Sequence, residues 1–121
     1  MQNAKRRCTA ALAVAAAATG LVLPAASEAS GPPRGLYQCY QYAYSVGYLY
    51  SGGFRLTSAT HYRAVSGGGG SYRVRGRLVI FRTGPYHTFT GTRRRDSTGN
   101  VVIDLKLKSD PSIVENCSHH R

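Results

Sequence analysis

Val101-Val102-Ile103-Asp104-Leu105-Lys106-Leu107-Lys108 is the stretch on which the fold turns. Val101, Ile103, Leu105 and Leu107 share one parity; Val102, Asp104, Lys106 and Lys108 share the other. Extended chain sends alternate side chains to opposite faces, so this spacing predicts a strand with one buried and one wet face. On either side the chain turns: Asp96-Ser97-Thr98-Gly99-Asn100 before it, and Asp110-Pro111 after it, leading into Ser112 to Cys117.

Working outward, Tyr86 to Thr92 reads as a polar strand behind a Gly84-Pro85 turn. Tyr72, Val74, Leu78 and Ile80 alternate with Arg73, Arg75 and Arg77 as one continuous strand, apolar on both faces at Val79 and Phe81. Ser66 to Ser71 is a glycine-rich hairpin loop, because residues 30–65 are too few for a core of their own. Tyr62 to Val65 and Phe54 to Thr57 are short strands, and Gly52-Gly53 reads as a turn. Tyr40, Tyr42, Tyr44, Val46, Tyr48 and Tyr50 share one parity, which predicts extended chain with an aromatic face, interrupted near Gly47. A helix through Tyr40, Tyr44 and Tyr48 is disfavoured by tyrosine and glycine propensities. The sum is seven or eight short strands and no convincing helix. An all-β antiparallel meander is expected, closing as an up-and-down barrel, with a β-sandwich as the alternative.

The N-terminus has a different character. Lys5, Arg6 and Arg7 precede an alanine-rich apolar run from Cys8 to Leu23, and small residues follow Pro24. This is the design of a secretory signal peptide over residues 1–29, helical in its apolar run, with cleavage expected before Ser30. The run is short for a spanning helix, so residues 30–121 are expected as one secreted domain with no membrane attachment after cleavage.

Cys39 and Cys117 remain near the two ends of that domain. In an oxidising compartment an even pair predicts a disulfide, worth about 4–5 kcal/mol by loop-closure arithmetic. The alternatives are free thiols or a metal site with His119 and His120, against which the lack of close Cys/His spacing speaks. No metal or cofactor is expected. Eleven arginines and two lysines stand against Asp96, Asp104, Asp110 and Glu115, a net +9 for residues 30–121. Such a charge attracts anionic partners, nucleic acid, other polyanions or an acidic protein, or merely keeps a monomer soluble.

The alanine-rich leader, tyrosine-rich start, glycine-punctuated strands and two terminal cysteines together resemble small exported proteins of actinobacteria. The strand plan resembles avidin-like and lipocalin-like barrels, with no residue signature of either. Tyr86-His87-Thr88-Phe89 and Arg93–Arg95 resemble the histidine strand and arginines of secreted guanyl-type ribonucleases. That family sets a glutamate ahead of its histidine, whereas no acid lies between Ser30 and Asp96 here. A nuclease would have to use His87 with His61, or with Glu115, as acid and base.

Two arginine trios are the other candidates. Arg73, Arg75 and Arg77 on one strand face, with Arg93, Arg94 and Arg95 on a neighbour, would make one anion-binding patch if those strands lie together. Tyr42 and Tyr44 beside them suit stacking. With no tryptophan and 3 phenylalanines, however, the tyrosines are expected chiefly to fill the core. Three functions follow. The first is an extracellular binding module, including an enzyme inhibitor, that docks an anionic partner. The second is a ribonuclease-like hydrolase. The third is an envelope-associated structural protein.

Overall fold

A computed structural model of the chain describes residues 31–121, which form one compact unit, Gly31–Arg121. The expected signal peptide, its helix and its cleavage point lie outside the described residues. Eight strands follow one another: β1 (Gly35–Ala43), β2 (Gly47–Leu56), β3 (His61–Ala64), β4 (Gly69–Arg75), β5 (Leu78–Phe81), β6 (Phe89–Arg95), β7 (Val101–Leu107) and β8 (Asp110–His119). Each pairs antiparallel with the next, and β1 pairs with β8, so the sheet closes into a barrel in sequence order. The sandwich alternative therefore falls. Closure removes the exposed edges that would otherwise burden a lone sheet.

At the seam Tyr37 faces His119 and Cys39 faces Cys117. The two cysteines form a disulfide across a sequence separation of 78, and both are fully buried. The bond staples the first strand to the last, where closure costs the chain the most entropy.

The inside of the barrel is packed with aromatic rings. Tyr37 stacks on Phe54 with centroids 5.4 Å apart. Phe81 meets Phe54 at 5.4 Å and Tyr62 at 5.1 Å, both edge to face. Leu56, Tyr72, Val79, Ile103 and Leu105 complete the core. Strand β7 follows its alternation in part: Ile103 and Leu105 are buried inward and Lys106 is exposed, but Val102, expected on the wet face, is buried as well.

Three turns differ from expectation. Arg75-Gly76-Arg77-Leu78 is a two-residue hairpin, with Arg75 paired to Leu78 and Gly76 at φ 59°. The continuous strand read through it does not exist. The parity flips, so Val79 and Phe81 face inward with Tyr72, and Leu78 is exposed. Residues 82–88 form a loop, and the polar strand begins only at Phe89. Gly52 and Gly53 lie inside β2 rather than in a turn, at a bulge where the register shifts between Cys39 and Tyr40. A Cβ on Gly53 would sit 2.3 Å from the carbonyl oxygen of Tyr37, so only glycine permits that approach.

The four hairpin loops β1–β2, β3–β4, β5–β6 and β7–β8 crowd one end of the barrel, called here the upper end. The β5–β6 loop folds Tyr86 over that end, where its ring packs on Phe54 at 5.2 Å and its hydroxyl donates to the carbonyl of Gly53 at 3.2 Å. The lower end is closed by residues 31–34: Tyr37 Oη donates to the carbonyl of Pro33 at 2.7 Å, and His119 Nε2 to that of Arg34 at 2.9 Å.

Candidate functional site

The tyrosine stripe is where sequence and structure diverge most. It is not one strand but a hairpin. Ala43 pairs with Gly47, Val46 N–H donates to the Ala43 carbonyl at 3.1 Å, and Gly47 takes φ 87°. That is a three-residue turn ended by a left-handed glycine. Tyr42 then faces Tyr48, and Tyr40 faces Tyr50. Each pair meets edge to face, at 5.3 Å and 5.7 Å respectively.

The hairpin outruns the barrel. Pairing of β1 with β8 stops at Gln41–Glu115, and pairing of β2 with β3 stops at Phe54–Ala64, followed by one Val65 N–H to Gly53 carbonyl bond. Residues 42–52 therefore form an arm: 42–48 pair only with one another and 49–52 only with β1, with no third strand alongside among the described residues. Tyr42, Tyr44, Tyr48 and Tyr50 are 60 %, 92 %, 64 % and 54 % exposed, and Val46 and Leu49 are exposed with them. The expectation that these tyrosines fill the core is corrected. The core uses Tyr37, Tyr62, Tyr72 and Tyr86 instead. Gly35 to Phe54 contains no charged residue at all, between Arg34 and Arg55.

The arginines do not form the single patch expected of two trios. Arg73 and Arg75 point outward from β4, but Arg77 sits in the turn beyond. Strand β5 separates β4 from β6. Arg94 points outward from β6 and is occupied: its Nε lies 2.6 Å from Asp104 Oδ2 and its Nη2 3.1 Å from Oδ1. Asn116 Nδ2 donates to the same carboxylate at 2.7 Å. This bond to Asp104 holds the Arg94 guanidinium above its usual pKa. Arg93 has the inward parity of Gly91, and its positive charge acts on the Tyr37 hydroxyl. Arg95 Nη1 donates to the Gly99 carbonyl at 2.8 Å, tying down the next turn.

Sequence reasoning missed another arginine pair. Arg55 of β2 and Arg63 of β3 are direct cross-strand partners, both exposed and outward. Like charges in that position oppose pairing. The signal was present in the lopsided distribution of charge. Residues 31–95 hold ten arginines and no acid, whereas residues 96–121 hold Lys106, Lys108 and Arg121 against all four acids.

The histidines are not brought together. His61 opens β3 at the lower end, its Nδ1 2.9 Å from Thr60 Oγ1. His87 lies in the β5–β6 loop at the upper end, its Nδ1 donating to the Gly84 carbonyl at 2.8 Å. Glu115 points into the upper end and accepts from Ser51 Oγ at 2.9 Å. Its carboxylate lies within 4.8 Å of the Cys39 and Cys117 sulfurs, but those sulfurs are bonded to each other and offer no thiolate to a metal. Burial, with the Glu115 charge second, pushes the Tyr86 hydroxyl up to about 12.

No protein-family model, curated protein or solved structure matches the chain.

Proposed function

We propose that the protein is an extracellular binding module that docks an acidic protein through its tyrosine arm, with the arginine-rich side of the barrel steering the approach. The observation that carries this reading is the arm itself. A small domain rarely leaves so many contiguous aromatic and aliphatic side chains in water without a partner for them. Tyrosine and arginine are the residues that dominate the centres of protein interfaces. The barrel interior is filled by its own rings, so the outside of the sheet is the surface left for recognition. Ten arginines without an acid over residues 31–95 favour an anionic partner and fast, salt-sensitive association. The disulfide fits an oxidising compartment.

The test is capture from culture medium and cell-wall extract on the immobilised protein, in parallel with the Tyr44→Ala/Tyr48→Ala double variant. The reading expects an acidic protein retained by the parent chain and lost from the variant, with the association rate falling steeply as salt rises. A partner held equally by the variant would remove the arm from recognition. Retention of nucleic acid or an acidic polysaccharide, in place of a protein, would overturn the protein reading.

A further inference from the structure

We infer that the arm takes its partner as an added β-strand: an extended acidic segment pairs with the free edge of β2 over Gly47–Ser51 and lays its acidic side chains toward Arg55 and Arg63. This deepens the proposed function and rests on it.

Three observations converge. The first concerns the backbone. Strand β3 ends at Ala64, and from Gly52 back to Gly47 the outer edge of β2 has no strand beside it among the described residues. A strand interior whose alternate N–H and C=O groups face outward is a template for another chain. Natural sheets blunt such edges with lysine, proline or a charge, and Gly35 to Phe54 contains none of these. Leaving the edge open is consistent with its being used.

The second concerns side chains. An added strand alternates its side chains between faces and meets Tyr48 and Tyr50 on the outer face and Leu49 on the inner one, all three exposed. The third is charge. The outer face of β2 runs from Tyr48 and Tyr50 to Arg55, which lies opposite Arg63 with no acid in contact among the described residues. Two arginines paired across β2 and β3 beside the open edge, with no acid of their own, call for carboxylates.

The same facts weigh against other occupants. A second copy paired along the same edge would bring another acid-free arm, with no carboxylate to offer Arg55 and Arg63. Insertion into a lipid surface would leave the edge N–H and C=O groups unsatisfied. An acidic strand satisfies both the backbone and the arginines.

The probe is a synthetic peptide of alternating glutamate and valine. Its controls are the same peptide N-methylated at alternate residues, which keeps every side chain and cannot form the ladder, and a lysine–valine version. Binding to the full-length protein is measured with residue-resolved amide exchange. The expected result is glutamate–valine binding at least about ten-fold tighter than either control, with alternate amides of Gly47–Ser51 slowed about ten-fold or more. Arg55→Gln/Arg63→Gln should weaken it without altering the melting temperature by more than about 3 °C. Equal binding of the N-methylated form, with no amide slowed, would overturn strand addition and leave an acidic docking surface standing. Binding of neither glutamate peptide, or an edge already protected in a dimer of the free protein, would overturn it too. Docking to phosphatidylglycerol vesicles with no peptide binding would assign the arm to a membrane instead.

Discussion

The nine tyrosines divide into two populations, and the division separates what builds the barrel from what the barrel presents. Tyr37, Tyr62, Tyr72 and Tyr86 point inward, and every one of their hydroxyls donates to a backbone carbonyl: Pro33, Thr83, Ser58 and Gly53 respectively. The rings fill the core while the hydroxyls fasten loops to it, so the buried polar atom stabilises rather than costs. Tyr42, Tyr44, Tyr48 and Tyr50 sit on or at the tip of the arm, and Tyr40 lies half-buried at its base, meeting Tyr50. One residue type thus serves as structural aromatic and as presented surface. What decides is whether the ring lies inside the barrel or outside it.

The contrast breaks most visibly under truncation. Phe54→Ala, at the centre of the inner cluster, is expected to cost about 3–5 kcal/mol in denaturant unfolding, whereas Tyr48→Ala changes stability by no more than about 0.5 kcal/mol. A comparable loss at Tyr48 would mean the arm belongs to the core. Removing one oxygen sharpens the test. Tyr62 Oη donates to the Thr83 carbonyl and accepts from Tyr86 N–H, so Tyr62→Phe strands two backbone groups and should cost about 1–3 kcal/mol; Tyr48→Phe should be silent.

Alkaline titration gives the third comparison. Burial raises the hydroxyls of Tyr37, Tyr62, Tyr72 and Tyr86, the last to about 12. A group whose folded pKa is raised favours the folded state fully below its unfolded value, near 10, and loses that contribution as pH climbs through the folded value. Stability should therefore fall between about pH 10 and 12, read by circular dichroism alongside phenolate absorbance. Phenolate formation by all nine tyrosines before any loss of structure would contradict the inner assignment. The smallest effect concerns Arg94→Ala. The ion pair with Asp104 is half in water, at 45 % and 23 % side-chain exposure, and its loss is worth at most about 1 kcal/mol in thermal unfolding.

The hairpins explain which parts of the fold could be read in advance. The Val101–Leu107 strand was legible because its two faces differ in chemistry. The disulfide was legible because two cysteines in one small domain leave one pairing. At the β1–β2 turn the break near Gly47 could be read but not the reversal: Tyr42 faces Tyr48 and Tyr40 faces Tyr50, so partners share parity and the stripe keeps its period through the turn. Any period-two pattern reads such a hairpin as one long strand. At Gly76 the two-residue turn joins partners of opposite parity, Arg75 with Leu78, so the faces exchange and Leu78 was placed on the wrong side. Gly52-Gly53 carries the same letters as a turn, yet serves a bulge and a close strand approach. The candidate site was half legible. Its residues were visible as tyrosines and arginines, but their exposure depends on where β3 and β8 stop pairing, a long-range property of the ladder.

The clasp between Cys39 and Cys117 also governs how the molecule breaks. All seven loops lie between the two bonded residues. A protease that nicks any one of them leaves two fragments still joined through sulfur and still zipped along the seam. Cleavage alone thus opens a gap without releasing a piece, and disassembly requires a reductant as well as a cut.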